Sequence, residues 1–269
     1  MKYAIYTTFN ENFLETGATM IYSFLHTNQW YDGDIIVLCD EGENCPFSNE
    51  NMEKLKRISE KITFLKVNSK DYSDVFNNFS SCVEKHFKSS FYKLEMFKKN
   101  DDYDVKMYID ADVCFCSDVR ELFEVYKTND KAFLCRDIVS PNCCSFDITK
   151  MTENDYANLG FMLLNCKEIS NDEYDKIIEI CSTIKSDDFK NLLSAKGRYG
   201  EQDFLNEYLK DAIIIPSLIY DCNPNYYNQN TKIIHYYGAG RKPWDCEQTL
   251  PGFNEFYKNY FFVNKLLCV

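Results

Sequence analysis

Short apolar runs alternate with amphipathic segments through the first half of the chain. Residues 2–8, 34–39 and 62–67 are apolar and carry several β-branched side chains, which is typical of buried strands. Residues 15–26 and 51–62 lie beside these runs and place apolar side chains at helical spacing. This alternation predicts an α/β fold with a twisted, mostly parallel sheet flanked by helices.

The second half of the chain continues the pattern less regularly. Its final segment, residues 251–269, is apolar with two lysines and predicts a packed C-terminal helix, with a membrane or partner anchor as the alternative. No linker, repeat or low-complexity tract interrupts the chain, so we expect residues 1–269 to form one domain. Further strands are predicted at 105–109, 132–135, 160–165, 212–215 and 233–237, helices at 90–99, 173–184 and 201–210, and a mobile insertion at 140–154.

The net charge restricts the classes of partner. It is -12, which disfavours nonspecific binding to nucleic acid or to an anionic membrane. A phosphorylated ligand is compatible with this charge, because a bound metal and nearby lysines reverse the field locally. No apolar run approaches the length that crosses a bilayer, so no transmembrane segment is predicted.

The cysteine pattern indicates a reducing compartment. The chain has 13 cysteines, an odd number without the spacing of a disulfide framework. No Cys-x-x-Cys pair occurs, which disfavours a structural zinc site. The first residues are too polar for a signal peptide, so we predict a cytoplasmic protein.

Two carboxylates interrupt an apolar run at the end of a predicted strand. Asp110 and Asp112 follow residues 105–109, and in an extended chain they face the same side. Burying two ionised carboxylates together is costly unless a cation pairs with them. Ligands of open α/β sheets lie beyond the carboxyl ends of the strands. The pair therefore predicts a divalent cation site, with solvated strand-end acids as the alternative.

A second motif, HYYGAGRKPW, supplies an imidazole far along the chain. His235 follows an apolar pair, and with Asp110 and Asp112 it forms a ligand set that suits Mn²⁺. Alone, such a histidine is more often structural. Gly238 lets the backbone approach a ligand closely, and Lys242 is suited to meet a phosphate as a point charge.

These two motifs together resemble glycosyltransferase family 8, the group that includes glycogenin and bacterial lipooligosaccharide galactosyltransferases. The family's late motif is His-x-x-Gly-x-x-Lys-Pro-Trp, and this chain carries each of its fixed residues, with one additional residue between Gly238 and Lys242. The resemblance extends to four more segments: YTTFNENFLETGATMIYSFL at 6–25, SFYKL at 90–94, NLG at 158–160 and EQDFLN at 201–206.

The resemblance implies an A-type glycosyltransferase fold and retaining transfer of a hexose from a UDP-sugar. Glucose is the first choice of donor sugar, galactose the second and N-acetylglucosamine the third, and Mn²⁺, or else Mg²⁺, is the implied cofactor. Residues 1–115 would form the nucleotide half, 116–250 the sugar and acceptor half, and 251–269 the tail. The implied metal ligands are Asp110, Asp112 and His235. The implied donor-binding residues are these three with Thr7, Thr8, Phe13, Lys93, Ala111, Asn158, Gly160, Gly238 and Lys242. The implied catalytic residues are Gln202, Glu201 and Asp137.

Several of these positions have plain structural alternatives. Lys93 also fits a solvated helix lysine, Asp137 the start of a turn, and Glu201 an acid in the first turn of a helix. Glu201 also departs from the aspartate common in the family, which alters the contacts expected for the sugar. Trp244 is expected to be a packing anchor. An amide is a poor nucleophile, so same-face attack is preferred over a covalent intermediate at Gln202.

The acceptor is open among a glycan, a protein and a lipid-linked molecule. A glycogenin-like protein that glucosylates its own tyrosine is one alternative, and a catalytically weak nucleotide-sugar-binding protein is another. A nucleotidyltransferase uses a similar sheet and metal, but the HYYGAGRKPW motif and the lack of a glycine-rich first loop argue against it. A homodimer also stays open.

Overall fold

The computed structural model describes residues 1–40, 42, 45–79, 85–125, 131–137, 157–183, 201–238, 242–245 and 249–268. The predicted mobile insertion at 140–154 and the Ala239–Arg241 part of the late motif lie outside these residues. The strands are β1 (Tyr3–Thr8), β2 (Asp34–Cys39), β3 (Ile62–Lys66), β4 (Val105–Ile109), β5 (Val113–Phe115), β6 (Phe133–Arg136), β7 (Ala157–Asn165), β8 (Ile213–Ile215) and β9 (Ile233–His235).

The helices lie close to their predicted positions. The predicted helix at 51–62 ends early, at Lys56, because a turn at Arg57 and Ile58 leads directly into β3. The predicted helix at 90–99 is part of a 3₁₀ helix, Lys85–Phe97. The α-helices are α1 (Leu14–Thr27), α2 (Asn49–Lys56), α3 (Ser73–Asn78), α4 (Arg120–Val125), α5 (Glu173–Thr183), α6 (Glu201–Tyr208), α7 (Ser217–Tyr220) and α8 (Phe253–Leu267).

Within the described part of the chain, the main sheet has seven strands in the order β3-β2-β1-β4-β7-β6-β8. Strand β7 runs antiparallel to both of its neighbours, and the other six strands run in one direction. The prediction of a mostly parallel sheet is therefore confirmed. A separate antiparallel pair, β5 and β9, follows the carboxyl end of β4.

Alternating side chains of the central strands pack into two cores, one on each face of the sheet. Ile5 and Met107 point into the core covered by α1, whereas Tyr6 and Tyr108 point into the core covered by the 3₁₀ helix Lys85–Phe97. Strands with apolar residues on both faces are typical of parallel sheets covered by helices on both sides.

The C-terminal helix α8 packs against α1 and buries one side. Its buried residues are Phe253, Phe256, Val263 and Leu267. The packed-helix prediction for the tail is therefore confirmed. Among the described residues, no helix combines the length and the apolar character that spanning a bilayer requires.

Candidate active site

The three predicted metal ligands converge where β4 ends. Asp110 follows β4, and Asp112 precedes β5, which pairs with β9 so that Val113 lies opposite His235. The backbone N–H of Tyr236 donates to the Asp112 carbonyl at 2.9 Å, which fixes this register. His235 Nε2 lies 3.2 Å from Asp112 Oδ1 and 3.8 Å from Asp110 Oδ2. One ligand atom from each residue lies within 4.8 Å of the others, which fits the first coordination sphere of a cation.

Gly160 makes this convergence possible. Strand β7 runs antiparallel to β4, so its first residues lie beside the end of β4, and Asp110 N–H donates to the Gly160 carbonyl at 2.9 Å. A Cβ on Gly160 would lie 2.2 Å from His235 Cε1 and 2.9 Å from Asp110 Oδ2. Asn158 supports this part of β7, because its side-chain Oδ1 accepts from Gly160 N–H at 2.8 Å. Glycine is required here for close approach rather than for an unusual backbone angle.

The charges of the cluster compensate one another. Lys242 Nζ lies 2.6 Å from Asp112 Oδ2, and His235 contacts the other oxygen of the same carboxylate. Burial alone would raise the pKa of Asp112, but the charges of His235 and Lys242 outweigh it and hold that pKa well below its usual range. Asp112 is therefore ionised at neutral pH and available as a ligand.

His235 is held on its other side by a residue that the sequence analysis missed. Asp221 Oδ1 lies 2.8 Å from His235 Nδ1, and both side chains are buried. Burial raises the pKa of Asp221 to about 6 against the lowering effect of the His235 charge. Asp221 belongs to no recognisable motif. It approaches His235 because the next residue, Cys222, forms a β-bridge with Ile234, and sequence alone does not disclose that pairing.

Lys93 is buried between Asp110 and Glu201. Its side chain is 4% exposed, so the alternative of a solvated helix lysine is wrong. Its Nζ lies 3.8 Å from Asp110 Oδ1 and 3.6 Å from Glu201 Oε1, and it donates to the Leu159 carbonyl at 3.3 Å. It also lies 4.8 Å from the centre of the Tyr108 ring. Lys93 thus connects the acidic cluster with the first turn of α6.

The first turn of α6 supplies both Glu201 and Gln202. Gln202 Oε1 accepts from Leu159 N–H at 3.2 Å, where the pairing of β6 with β7 changes register. Glu201 faces Lys93, a contact that a role as a first-turn acid alone does not explain. Burial raises the pKa of Glu201 even though the Lys93 charge lowers it. Asp137, which follows β6, is close enough for its charge to raise the pKa of Asp221.

The raised pKa of Glu201 predicts a stability effect. A carboxyl group whose pKa is raised by folding contributes stability in its protonated form, and that contribution is lost as the pH rises through the folded pKa. Glu201→Gln removes this penalty, so we expect a higher Tm than wild type at pH 7. The difference should shrink as the pH falls towards the ordinary glutamate value of 4.5. Thermal unfolding followed by circular dichroism between pH 4 and pH 8 measures it. A variant with a lower Tm at pH 7 would show that the ion pair with Lys93 outweighs burial.

The remaining predicted donor-binding residues lie near the ends of β1 and β4 and in the late motif. Thr7 is fully buried, and its hydroxyl has no partner among the described residues. Thr8 donates to the Leu38 carbonyl at 3.3 Å. Phe13 is 39% exposed in the 3₁₀ turn before α1, which leaves its ring available for stacking. Ala111 is buried between the two aspartates, and Gly238 has a φ of 84°, which favours glycine.

Trp244 anchors the late motif to the C-terminal helix. Its ring packs on Phe256 with 5.2 Å between ring centres, and Lys242 Nζ lies 5.3 Å from the Trp244 ring centre. The packing role predicted for Trp244 is therefore confirmed. The same contact fixes the backbone next to Lys242, which points its ammonium group at Asp112.

Known proteins share both the sequence pattern and the architecture. The profile of the family described as "Glycosyl transferase family 8" matches residues 4–248. No curated protein sequence matches the chain significantly. An active-site mutant of LgtC matches with a TM-score of 0.73, at 18% identity over 96% of this chain and 95% of that chain. The galactosyltransferase LgtC in complex with donor and acceptor sugar analogs matches with a TM-score of 0.71, at 17% identity and the same coverage.

A more distant structure shows the same fold. Mouse xyloside xylosyltransferase 1 matches with a TM-score of 0.61, at 13% identity over 90% of this chain and 99% of that chain. These identities are low, so the structural likeness shows a shared fold, and it confirms the predicted A-type glycosyltransferase architecture. Because the family profile covers most of the sequence, the chain belongs to glycosyltransferase family 8.

Proposed function

We propose that this glycosyltransferase moves a hexose from a UDP-sugar to an acceptor with retention of the anomeric configuration, and that it depends on Mn²⁺. The observation that carries the proposal is the convergence of Asp110, Asp112 and His235 at the end of β4, with Lys242 beside them. Two carboxylates and one imidazole fit Mn²⁺, and Mg²⁺ is the second choice because it prefers oxygen ligands.

The residues of the site match the charge that sugar transfer develops. The leaving group is a nucleoside diphosphate, so negative charge grows on its β-phosphate as the glycosidic bond breaks. A divalent ion held by the three ligands would supply electrostatic stabilisation of that charge. Lys242 lies at the edge of the cluster and would add a second positive charge. Backbone N–H groups near Gly238 would approach the phosphates closely, and Thr7, Thr8 and Phe13 would line the uridine site.

The sugar side of the proposal involves Lys93, Asp137, Asn158, Glu201 and Gln202. The side-chain oxygen of Gln202, Oε1, already accepts a hydrogen bond from the backbone N–H of Leu159 in β7. An amide is also a weak nucleophile. Both points favour same-face attack, in which the acceptor loses its proton to the leaving phosphate. Lys93 and Glu201 face each other beside Asp110, a position suited to holding hydroxyl groups of the donor sugar.

The proposed donor and acceptor are ranked by the family resemblance and by the LgtC structures. UDP-glucose is our first choice of donor, and UDP-galactose is the second, because the solved LgtC structure is that of a galactosyltransferase. A glycan acceptor is favoured by the acceptor sugar analog in that structure, and protein and lipid-linked acceptors follow. Family membership removes the nucleotidyltransferase alternative. A protein that glucosylates itself and a weak nucleotide-sugar-binding protein stay as alternatives.

The thiols support the proposed compartment. The nine cysteines of the described residues are free, which fits a reducing environment such as the cytoplasm. The division into a nucleotide half and a sugar half stays a prediction, as does a homodimer.

The function is tested by UDP release from a panel of UDP-sugars, with Mn²⁺ or with a chelator, followed by intact-mass measurement of the protein. We expect turnover of one UDP-hexose that the chelator abolishes and added Mn²⁺ restores. A hexose increment on the protein would identify self-glycosylation, and turnover without it an external acceptor. Turnover that is indifferent to the chelator would refute the metal-dependent mechanism. Tight donor binding without turnover across a broad acceptor panel would favour the binding-protein alternative.

A further inference from the structure

Asp221 contacts Nδ1 of His235, the ring nitrogen that faces away from Asp110 and Asp112, and is not itself one of the three proposed metal ligands. Its carboxylate is 1% exposed and lies 2.8 Å from His235 Nδ1. Its position is fixed by the backbone, because Asp221 directly follows α7 and its N–H donates to the carbonyl of Ser217, the first residue of that helix. The next residue pairs with Ile234, directly before His235: Cys222 N–H donates to the Ile233 carbonyl at 2.9 Å, and His235 N–H donates to the Cys222 carbonyl at 2.9 Å. The two side chains are therefore held in register by a short parallel bridge.

The two ring nitrogens of His235 face different partners. Nδ1 faces Asp221, whereas Nε2 faces Asp112 Oδ1 at 3.2 Å and Asp110 Oδ2 at 3.8 Å. A neutral imidazole binds a metal through its unprotonated nitrogen, and the hydrogen bond made by the other nitrogen decides which one that is. A carboxylate accepts hydrogen bonds only, so Asp221 requires a proton on Nδ1, and Asp112 requires one on Nε2 while no cation is bound. When a cation occupies the cluster, Nε2 gives up its proton and offers its lone pair, while Asp221 keeps the proton on Nδ1.

We propose that Asp221 is a positioning residue that fixes the tautomer and the ring orientation of His235 for metal binding. The inference rests on the proposed function, since it assumes that His235 is a metal ligand. A residue present only for packing would not need a charge here: one oxygen of Asp221, Oδ2, is buried without a hydrogen-bond partner among the described residues. Burying a carboxylate in this way costs stability. That cost is accounted for if the negative charge is needed beside Nδ1.

The test compares Mn²⁺ affinity in wild type, Asp221→Asn and a matched control, with the free Mn²⁺ signal measured by electron paramagnetic resonance. Asparagine has the same shape, but it is a weaker acceptor and can turn its NH₂ group towards Nδ1, which favours the wrong tautomer. We expect Mn²⁺ affinity to fall by about 10–100-fold in Asp221→Asn. The control is Asp40→Asn, which changes a carboxylate that is also buried but that binds Gly42, Cys45 and Tyr92. The control should keep wild-type Mn²⁺ affinity whatever its Tm.

A second measurement covers the case in which Asp221→Asn does not fold. The chain has three histidines, so ¹⁵N-histidine NMR of the wild-type protein with diamagnetic Mg²⁺ gives a simple spectrum. We expect His235 to carry its proton on Nδ1. A proton on Nε2 instead, or an unchanged Mn²⁺ affinity in folded Asp221→Asn, would overturn the role of Asp221 alone. A wild-type protein that binds no Mn²⁺ would overturn both this role and the metal-dependent function.

Discussion

Replacing Asp112 with asparagine is expected to lower the kcat of sugar transfer by on the order of 10³-fold, because a metal contributes several kcal/mol of charge stabilisation and each 1.4 kcal/mol is tenfold in rate. Asp112 contacts His235 through one oxygen and Lys242 through the other. The amide keeps the shape but loses the charge that binds a cation. It also leaves Lys242 without its described partner.

The same substitution changes stability with a defined sign. The folded pKa of Asp112 lies below its ordinary value of 3.8, so its ionised form stabilises the fold above that pH. This contribution is lost as the pH falls below 3.8 towards the lower folded value. Asp112→Asn should therefore lower the Tm at pH 7, and the difference should shrink in acid. Asp101→Asn, at a carboxylate with an 89% exposed side chain, is the control and should keep both activity and Tm. Near-normal metal-dependent turnover in folded Asp112→Asn would exclude Asp112 as a ligand.

Replacing Gly160 with alanine is the second substitution with a large expected effect. The added Cβ would lie 2.2 Å from His235 Cε1 and 2.9 Å from Asp110 Oδ2, distances that real Cβ contacts do not show. His235 is buried and held from behind by Asp221, so the ring cannot turn away without breaking that contact. We expect a destabilisation of about 1–3 kcal/mol from overpacking. Displacement of two ligands should also lower metal-dependent turnover, by on the order of 10²-fold for a misplacement of about 1 Å.

Gly42→Ala is the matched control for this prediction. A Cβ at Gly42 would meet its nearest atom, Ser69 Oγ, at 3.6 Å, which is ordinary contact. The control should therefore keep wild-type Tm and turnover. Thermal unfolding, Mn²⁺ binding and UDP release are measured for both variants. If Gly160→Ala matched Gly42→Ala in all three, close packing of β7 against His235 would not be what shapes the site.

The sequence predicted those parts of the site that depend on local pattern. The apolar run 105–109 followed by Asp110 and Asp112 is a local signal for a strand that ends in ligands, and the structure has β4 in that position. His235 is also marked locally, by the apolar pair before it and the glycines and lysine after it. These residues meet because β5 pairs with β9, a long-range contact that the sequence implied only through the family resemblance.

The sequence did not predict contacts that depend on how distant backbones align. The antiparallel direction of β7 places Gly160 against His235, but a run of apolar residues does not reveal strand direction. Lys93 looks like a surface lysine in sequence because the carboxylates that pair with it, Asp110 after β4 and Glu201 in α6, are not its neighbours along the chain. Asp221 was missed for the same reason. Its neighbour Cys222 bridges to Ile234 across 12 positions, without a motif at either end.

A crystal structure of the wild-type protein with Mn²⁺ and UDP, with anomalous data collected at the manganese absorption edge, would locate the cation. We predict an anomalous peak coordinated by Asp110, Asp112 and His235 Nε2, with the UDP phosphates on the same ion. Bound UDP with no manganese peak in this cluster, or with the ion held by other residues, would refute the proposed metal site.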